Sequence, residues 1–190
     1  MNIERTELEG VLIIEPQVFG DDRGFFMESW HARRYRQRGI PGEFVQDNIS
    51  FSRKHVLRGL HFQNPSPQGK LVSVLDGEIF DVAVDIRTGS PTFGAWTSVV
   101  LSSEGKRQFF VPAGFAHGFV VLSDHALVNY KCTAYYDRAA ERGIRWDDPE
   151  IGIAWPVEAP VLSPKDAAAP FLRDLPTDAL FHFERRDADS

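Results

Sequence analysis

The apolar segment Leu57–Gln63 contains two side chains suited to chemistry, Arg58 and His61, which lie three positions apart. Polar side chains inside an apolar strand need a partner or a purpose, and histidine is the side chain best suited to proton transfer near neutral pH. On a regular strand an odd separation puts the two on opposite faces, whereas a bulge at Gly59 would bring them to one face. The segment alone leaves two interpretations open: a pair in a cavity, or a surface arginine beside a hydrogen-bonded core histidine.

A second histidine, His117, lies in a segment rich in turn formers, Pro112–Phe119. Pro112 and Gly114 predict a tight corner between strands, with His117 as a turn residue. The spacing Pro-x-Gly-x-x-His resembles the second half-motif of the cupin barrels, but the His-x-His of the first half-motif, which usually binds a metal, occurs nowhere in the chain. We therefore expect no metal site, although His61 and His117 can still line one cavity.

Short apolar runs between turn residues dominate the chain and predict an all-β sandwich or barrel. Asp76-Gly77, the strongest short hairpin signal, separates Lys70–Leu75 from Glu78–Asp85 and predicts a hairpin. The other predicted strands are Val11–Ile14, Phe44–Phe51, Leu57–Phe62, Trp96–Leu101, Gln108–Val111, Phe119–Leu122 and Ala126–Tyr136, the last two separated by Ser123-Asp124.

Only a few segments predict helix. Glu28–Arg38 has acid at its start and arginines toward its end, and it stops at Gly39. Ser163–Asp166 offers a serine N-cap and a proline at the first helical position. With no repeat and no obvious linker, residues 1–190 are expected to form one domain, whose charged tail after about Arg185 frays.

Composition narrows the class of protein. The net charge is −6, from 27 acidic and 21 basic residues, so a general nucleic-acid binder is not expected, although an anionic small molecule needs only a local basic cluster. Cys132 is the only cysteine, which excludes an intrachain disulfide and a cysteine metal site. Met1–Gly10 has no apolar leader and no run approaches a membrane span, so we expect a cytoplasmic protein with no membrane partner.

Segments spread from about Val11 to Leu172 resemble one family, in order along the chain. Each is weak alone, but together they are hard to obtain by chance. The segments are Asp22–Phe26 with Glu28, Gln46–Asn48 with Ser50, Leu57–Gln63, Gly69–Val72, Asp81–Asp85, Gly114–Phe119, Tyr130-Lys131 and Leu162–Asp166. On these residues the chain resembles the dTDP-4-dehydrorhamnose 3,5-epimerases of dTDP-L-rhamnose synthesis.

The resemblance implies a cupin-like jelly-roll barrel with a few short helices, working as a homodimer with neither metal nor organic cofactor. Its substrate would be dTDP-4-dehydro-6-deoxy-D-glucose, inverted at C3 and C5 to dTDP-4-dehydro-L-rhamnose. Both carbons flank the C4 ketone, so the charge left by a departing proton moves onto oxygen. A base, a donor to that oxygen and a source of returning protons suffice, in keeping with the absence of a Gly-rich dinucleotide motif.

The resemblance also assigns catalytic roles. His61 matches the general base, and Asp166 matches the carboxylate that pairs with it and fixes its tautomer. Tyr130 matches the donor that returns a proton from the opposite face of the sugar, which inversion requires because a base alone would return the proton to the face it came from. Lys70 matches a residue near the C4 oxygen, where it can hold the enolate charge.

The substrate-binding residues follow from the same match. Tyr136 is predicted to stack on thymine, because it fits the family spacing and lies an even number of strand positions from Tyr130, on the same face if no bulge intervenes. Asp81 is expected to face the site from its strand. The remaining predicted binding residues are Arg23, Glu28, Gln46, Asp47, Asn48, Arg58, His117, Glu141 and Lys165.

Three other functions stay open at this stage. The chain can be a related epimerase that inverts only C3 or only C5, and nothing in the sequence excludes it. A metal-dependent cupin oxygenase is disfavoured by the missing His-x-His. A non-catalytic sugar-nucleotide binding module would not need a histidine, an aspartate and a tyrosine at all of the catalytic positions, and all are present.

Overall fold

The structure, a computed structural model, describes residues 1–183. The charged tail predicted to fray after about Arg185 lies outside the described residues. Strands dominate the described chain, as predicted. They are β1 Asn2–Arg5, β2 Leu12–Glu15, β3 Val18–Asp21, β4 Gly24–Met27, β5 Gln46–Arg53, β6 Leu57–Gln63, β7 Lys70–Asp85, β8 Arg87–Thr88, β9 Trp96–Ser102, β10 Gln108–Val111, β11 Phe115–Cys132, β12 Glu141–Gly143 and β13 Phe181–His182.

The main sheet is antiparallel and is organised around the long strands β7 and β11, which pair along nearly their whole length. The first half of β7 also pairs with β10, which leads to β2 and β1, while the second half of β11 pairs with β5. The second half of β7 pairs with β9, and the first half of β11 pairs with β6, which leads to β12. The nine strands therefore form two half-sheets joined by the β7–β11 ribbon, which is the sandwich expected from the sequence.

The prediction of a hairpin at Asp76-Gly77 is wrong. β7 continues through these residues, and β11 likewise continues through Ser123-Asp124, where a break was also predicted. Gly77 has a φ of +83°, and a Cβ there would collide with the His125 carbonyl oxygen. At the Asp-Gly pair the register between β7 and β11 shifts, as at a β-bulge. The chain bends there but does not reverse.

The core lies between the two half-sheets. Val72 and Val128 of one half and Ala83 and Phe119 of the other belong to a single buried apolar cluster. Burial of a large apolar side chain contributes about 1.5–3 kcal/mol, so this cluster holds the halves face to face. The inward face of β11 thus carries alternate residues, and Tyr130 extends that row toward one end of the sandwich.

Helices are short. α1 covers Ala32–Arg36, which is less than the predicted Glu28–Arg38, and α2 covers Pro164–Ala167 with Ser163 as N-cap, as predicted. Single 3-10 turns follow at Leu172–Asp174 and Thr177–Ala179. No helix within residues 1–183 is long and apolar enough to cross a membrane.

Candidate active site

A cavity of about 300 Å³ opens at the end of the sandwich reached by Tyr130. Five strands and two loops supply its walls, so residues far apart in the sequence meet there. The lining residues are Gln46, Asn48, His61, Phe62, Gln63, Gln68, Lys70, Tyr130, Tyr136 and Glu141. The structure thus brings together His61, Lys70 and Tyr130, which were predicted as catalytic, with four of the predicted binding residues, Gln46, Asn48, Tyr136 and Glu141.

The bulge considered at Gly59 is present in β6. His61 pairs with His117 and Arg58 with Phe119, so two residues of β6 stand opposite one residue of β11. Gly59 has a φ of +122°, and a Cβ there would lie 2.6 Å from the Cα of Gly118. Glycine is therefore required both by the backbone angle and by the close strand approach. The extra residue turns Arg58 and His61 toward the same face, which a regular strand would not do.

His61 is held from behind by Asp166. The His61 Nε2 atom lies 2.5 Å from Asp166 Oδ1, and the Ser163 hydroxyl donates to Asp166 Oδ2 at 2.8 Å. Burial alone would raise the pKa of Asp166, but the hydrogen bonds and charges of His61, Ser163 and Lys165 outweigh it and lower the pKa. The carboxylate therefore stays ionised and fixes the ring, while Nδ1 is the His61 nitrogen left for another partner.

Tyr130 and Lys70 come from the paired strands β11 and β7. Burial raises the pKa of the Tyr130 phenol, with a smaller opposing effect from Arg58. A phenol with a raised pKa keeps its proton at neutral pH, as a proton donor must. Loss of solvation lowers the pKa of the Lys70 ammonium, and the facing groups Cys132, Asp81 and Glu141 oppose this. The cavity therefore brings together an imidazole, a phenol and a lysine side chain from three strands.

The rim of the cavity is built from polar contacts around Tyr136. Its hydroxyl donates to Glu141 at 3.0 Å, and Glu141 pairs with Lys165 at 2.6 Å. Its backbone N–H donates to the Gln46 side chain at 2.8 Å. The parity reason for choosing Tyr136 was wrong, because β11 ends at Cys132 and Tyr136 lies in the loop beyond it. The loop nevertheless delivers the ring, half-exposed, to the cavity.

The remaining predicted residues do not line this cavity. Arg58 lies nearby, where its Nε donates to Ser52 at 2.9 Å, and Lys165 reaches the rim only through Glu141. Asp47 is on the outward face of β5, paired with Lys131 at 2.8 Å. Arg23 pairs with Asp21 on the exposed β3–β4 hairpin, and Glu28 pairs with Arg34 near α1.

His117 and Asp81 also lie outside the lining. His117 is in β11, not in a turn, and its Nε2 lies 2.6 Å from Asp81 Oδ1 in the buried interior. Strand pairing places His117 directly beside His61 of β6, and Asp81 lies on the neighbouring strand β7. Their predicted role in binding stays a prediction.

Four contributors were missed from the sequence, and one of them is Phe62, which lines the cavity. Gln63 and Gln68 line the cavity, and Gln63 also fixes the Tyr136 loop by donating to the Tyr135 carbonyl oxygen and accepting from the Asp137 N–H. Ser163 was recognised only as a helix cap. Its signal was the serine placed three residues before an acid, the spacing of a capping box, which brings the N-cap residue and the acid close together.

No group of three His, Cys, Asp or Glu side chains within residues 1–183 is arranged to hold a metal ion. The cavity instead presents an oriented imidazole, a protonated phenol and an ammonium. This is the set of groups that moves protons at a carbon next to a carbonyl. Fold and site together define a jelly-roll protein whose end cavity gathers groups suited to acid–base chemistry.

Comparison with known proteins identifies the family. The family model described as dTDP-4-dehydrorhamnose 3,5-epimerase matches residues 5–174, and the chain belongs to this family. The epimerase of that name from Shigella flexneri is 58% identical over 168 residues, 87% of this chain and 93% of its own. Its counterpart from Methanothermobacter thermautotrophicus is 54% identical over 175 residues, 90% of this chain and 95% of its own.

A solved structure is equally similar. The dTDP-6-deoxy-D-glucose-3,5-epimerase of Legionella pneumophila Philadelphia 1, crystallised with dTDP-4-keto-L-rhamnose, superposes with a TM-score of 0.94 at 56% identity. The match covers 96% of this chain and 98% of that chain. The cupin-like fold expected from the sequence is thereby confirmed.

Proposed function

We propose that the chain converts dTDP-4-dehydro-6-deoxy-D-glucose to dTDP-4-dehydro-L-rhamnose by inverting C3 and C5. The observation that carries the proposal is the His61–Asp166 pair, at 2.5 Å, opening on a cavity that is also lined by Tyr130 and Lys70. The relatives carry the same activity in their names, and the similar solved structure holds a dTDP-linked ketosugar.

The reaction begins with His61. Its free ring nitrogen removes the proton from the carbon beside the ketone, and the electron pair of that C–H bond moves onto the C4 oxygen to give an enolate. Asp166 holds the other nitrogen and stabilises the imidazolium that forms. General base catalysis of this kind contributes about 10²–10⁴ in rate.

Lys70 stabilises the enolate. Its ammonium is the cation that lines the cavity beside His61 and Tyr130. A charge placed in advance where the oxyanion develops is worth roughly 10²–10³ in rate. Because this term and general base catalysis each supply only part of the acceleration, both are needed.

Inversion is completed by Tyr130. The phenol stands on a different strand from His61 and donates its proton to the carbon from the other face. The resulting phenolate regains a proton, and the His61 imidazolium loses one, through solvent before the sequence repeats at the second carbon. No oxidant or reductant is consumed, because the substrate and the product are isomers.

The nucleotide is held at the rim. Tyr136 stacks on the thymine, and Glu141, Gln46 and Asn48 contact the sugar or nucleotide. The two phosphates require cations, which Arg58 and Lys165 supply at the edge of the site. Arg58 is anchored by its bond to Ser52, so one edge of its guanidinium is already fixed before substrate binds.

The site is completed by a second copy of the chain. Arg23 lies on a hairpin, β3–β4, whose Phe25 and Phe26 are exposed, and the outward face of β5 exposes Ile49 and Phe51. Exposed aromatic and aliphatic surfaces of this kind mark protein–protein interfaces. In a homodimer in which the hairpin docks on its partner, Arg23 and Glu28 serve the neighbouring cavity.

Hybrid dimers test this sharing. Mixing an Arg23→Ala chain with a His61→Ala chain leaves each hybrid with one intact site. A statistical mixture should therefore regain about a quarter of wild-type activity, although both parents are weak. Confirmed hybrids that stay as inactive as the parents would show that Arg23 serves its own chain or none.

Incubation with the ketosugar in D₂O tests the reaction itself. Wild-type protein should incorporate deuterium at both C3 and C5 and yield a product that a downstream ketoreductase converts to the L-sugar. His61→Ala should incorporate none. Tyr130→Phe should still exchange, because the enolate forms and protonated His61 returns deuterium to the original face, while L-configured product falls sharply.

Deuterium at only one carbon would overturn the double inversion and leave a single-site epimerase. No incorporation by folded wild-type protein would overturn the epimerase proposal altogether. If Tyr130→Phe lost exchange and inversion equally, Tyr130 would take part in proton abstraction, and the assignment of acid and base would be wrong.

A further inference from the structure

A second histidine–aspartate pair lies on β11 and β7, beside His61. His117 Nε2 and Asp81 Oδ1 are 2.6 Å apart, and the two residues are 7% and 0% exposed. Neither residue lines the cavity. The reaction steps above use neither, so the pair needs its own explanation.

His117 is the direct neighbour of His61. The two residues are partners in the register of β11 and β6, so their side chains emerge on the same face of the sheet. Directly opposed residues of antiparallel strands have Cβ atoms about 4.5–5.5 Å apart. A sugar in contact with the His61 ring is therefore within reach of the His117 ring.

Asp81 is unusual among the buried carboxylates. Its Oδ2 atom is buried and makes no hydrogen bond to any residue within 1–183. Asp85 lies four positions further along β7 and is equally buried, but both of its carboxylate oxygens accept hydrogen bonds from protein donors. A buried carboxylate with one partner is costly to folding, so the contribution of Asp81 to stability does not explain its presence.

We infer that Asp81 is a positioning residue of the epimerase site: it accepts the Nε2–H of His117 and so leaves the Nδ1 of His117 to contact the ketosugar beside His61. Asp81 itself does not touch the substrate. The inference rests on the proposed function and assigns Asp81 a role different from the direct contact expected from the sequence. Consistent with this role, no residue within 1–183 makes a hydrogen bond with Nδ1 of His117, whose Nε2 faces Asp81.

The test is Asp81→Asn, which keeps the shape of the side chain and removes its charge. We expect kcat/KM for the ketosugar to fall about 10–100-fold, the usual effect of losing a group that orients a functional histidine. The affinity for dTDP alone, measured by calorimetry, should stay within about twofold, because dTDP lacks the sugar next to His61. In a His117→Ala background, the same substitution should lower kcat/KM by less than about twofold, since Asp81 acts through His117.

Asp85→Asn is the matched control. It makes the same change on the same strand at equal burial, and it should lower the melting temperature without lowering kcat/KM of the folded protein. An Asp81→Asn variant that keeps kcat/KM within twofold, or one that loses as much in the His117→Ala background, would overturn the inference. If wild-type protein turned over no ketosugar, the proposed function would fail first and separately.

A measurement on the wild-type protein covers the case in which Asp81→Asn does not fold. Long-range ¹H–¹⁵N spectra of ¹⁵N-histidine-labelled protein, with His117 assigned by its absence in His117→Ala, report which ring nitrogen carries a proton. We expect Nε2 of His117 to be protonated. A His117 ring protonated on Nδ1 alone would show that Asp81 does not hold Nε2–H, and the inference would be wrong.

Discussion

Two buried aspartates, Asp85 and Asp166, use their oxygens differently. Asp85 accepts hydrogen bonds from Arg87, Ser90 and Thr92, and all of these donors lie within seven residues along the chain. Asp166 accepts from Ser163 nearby, but its other oxygen holds His61, which is 105 residues away in sequence. Both carboxyls have lowered pKa values because donors outweigh the effect of burial.

The difference lies in where each network ends. The Asp85 network closes on itself and fixes the turn after β7, where Arg87 also packs over Phe115. The Asp166 network leads through His61 to an open cavity, and the His61 side chain remains 26% exposed. A closed network contributes stability, whereas one that ends on a cavity orients a group for a ligand. Substitutions at the two aspartates should therefore separate stability from activity.

The largest expected effect is that of Asp166→Asn on turnover. The amide can no longer hold the correct tautomer of His61 or stabilise its imidazolium, so kcat should fall about 10²–10³-fold. Steady-state kinetics with the ketosugar and a coupled ketoreductase measure this loss. Thermal unfolding should show a folded protein, and near-normal kcat would reduce Asp166 to a helix-terminal acid that favours the dipole of α2.

The sequence predicted local parts of this site well. The cap of α2 depends on Ser163 and Pro164 alone, and the bulge of β6 depends on one glycine inside an apolar run. The cap is set by neighbouring residues alone, whereas the glycine only made a bulge possible, and the close approach of Gly118 on β11 decides that it forms. The pairing of His61 with Asp166 came only from the family resemblance, because no local signal joins residues 105 positions apart.

The second-largest effect is that of Asp85→Asn on stability. The substitution leaves the Arg87 guanidinium, 15% exposed, without its carboxylate. Loss of a buried, hydrogen-bonded charge pair should lower the free energy of unfolding by about 2–4 kcal/mol, and the melting temperature by roughly 5–15 °C. Calorimetry measures the shift, and kcat/KM below the transition should be unchanged. A variant as stable as wild type but poorly active would reverse the comparison between the two aspartates.

Long-range geometry explains where sequence reasoning failed. Asp76-Gly77 is a hairpin signal when judged locally, but β7 and β11 bend together there, and the glycine is used for close approach to His125. The strand predicted to reach Tyr136 ends at Cys132, so counting strand positions was not a valid reason for choosing Tyr136, although its ring does line the cavity. In both cases a partner strand distant in sequence decided the outcome.

A smaller effect is expected from Ser163→Ala. The hydroxyl donates to Asp166 Oδ2 at 2.8 Å and accepts from the Asp166 N–H at 3.1 Å. Its loss should lower stability by about 1 kcal/mol through the cap and lower kcat only severalfold, because His61 still holds Asp166. Ser163→Thr keeps the hydroxyl and should restore most of both quantities. A loss in kcat as large as that of Asp166→Asn would mean that the Ser163 hydroxyl matters as much for catalysis as the Asp166 carboxylate.

The smallest effect is on the response of stability to acid. Because the folded pKa of Asp85 is lowered, the unfolded chain takes up this proton at a higher pH than the folded protein does. The stabilisation from Asp85 is therefore complete above the ordinary pKa of the carboxyl and is lost as the pH falls through the folded pKa.

The amide of Asp85→Asn does not titrate, and the other carboxyls, including Asp166, are common to both proteins and cancel in the difference. The gap in melting temperature between wild type and Asp85→Asn should thus stay constant from pH 7 to 5 and narrow below about pH 4. Unfolding scans by circular dichroism across this range measure the gap. A gap that holds its full size to pH 3 would mean that the stabilisation from these hydrogen bonds does not depend on the charge of Asp85.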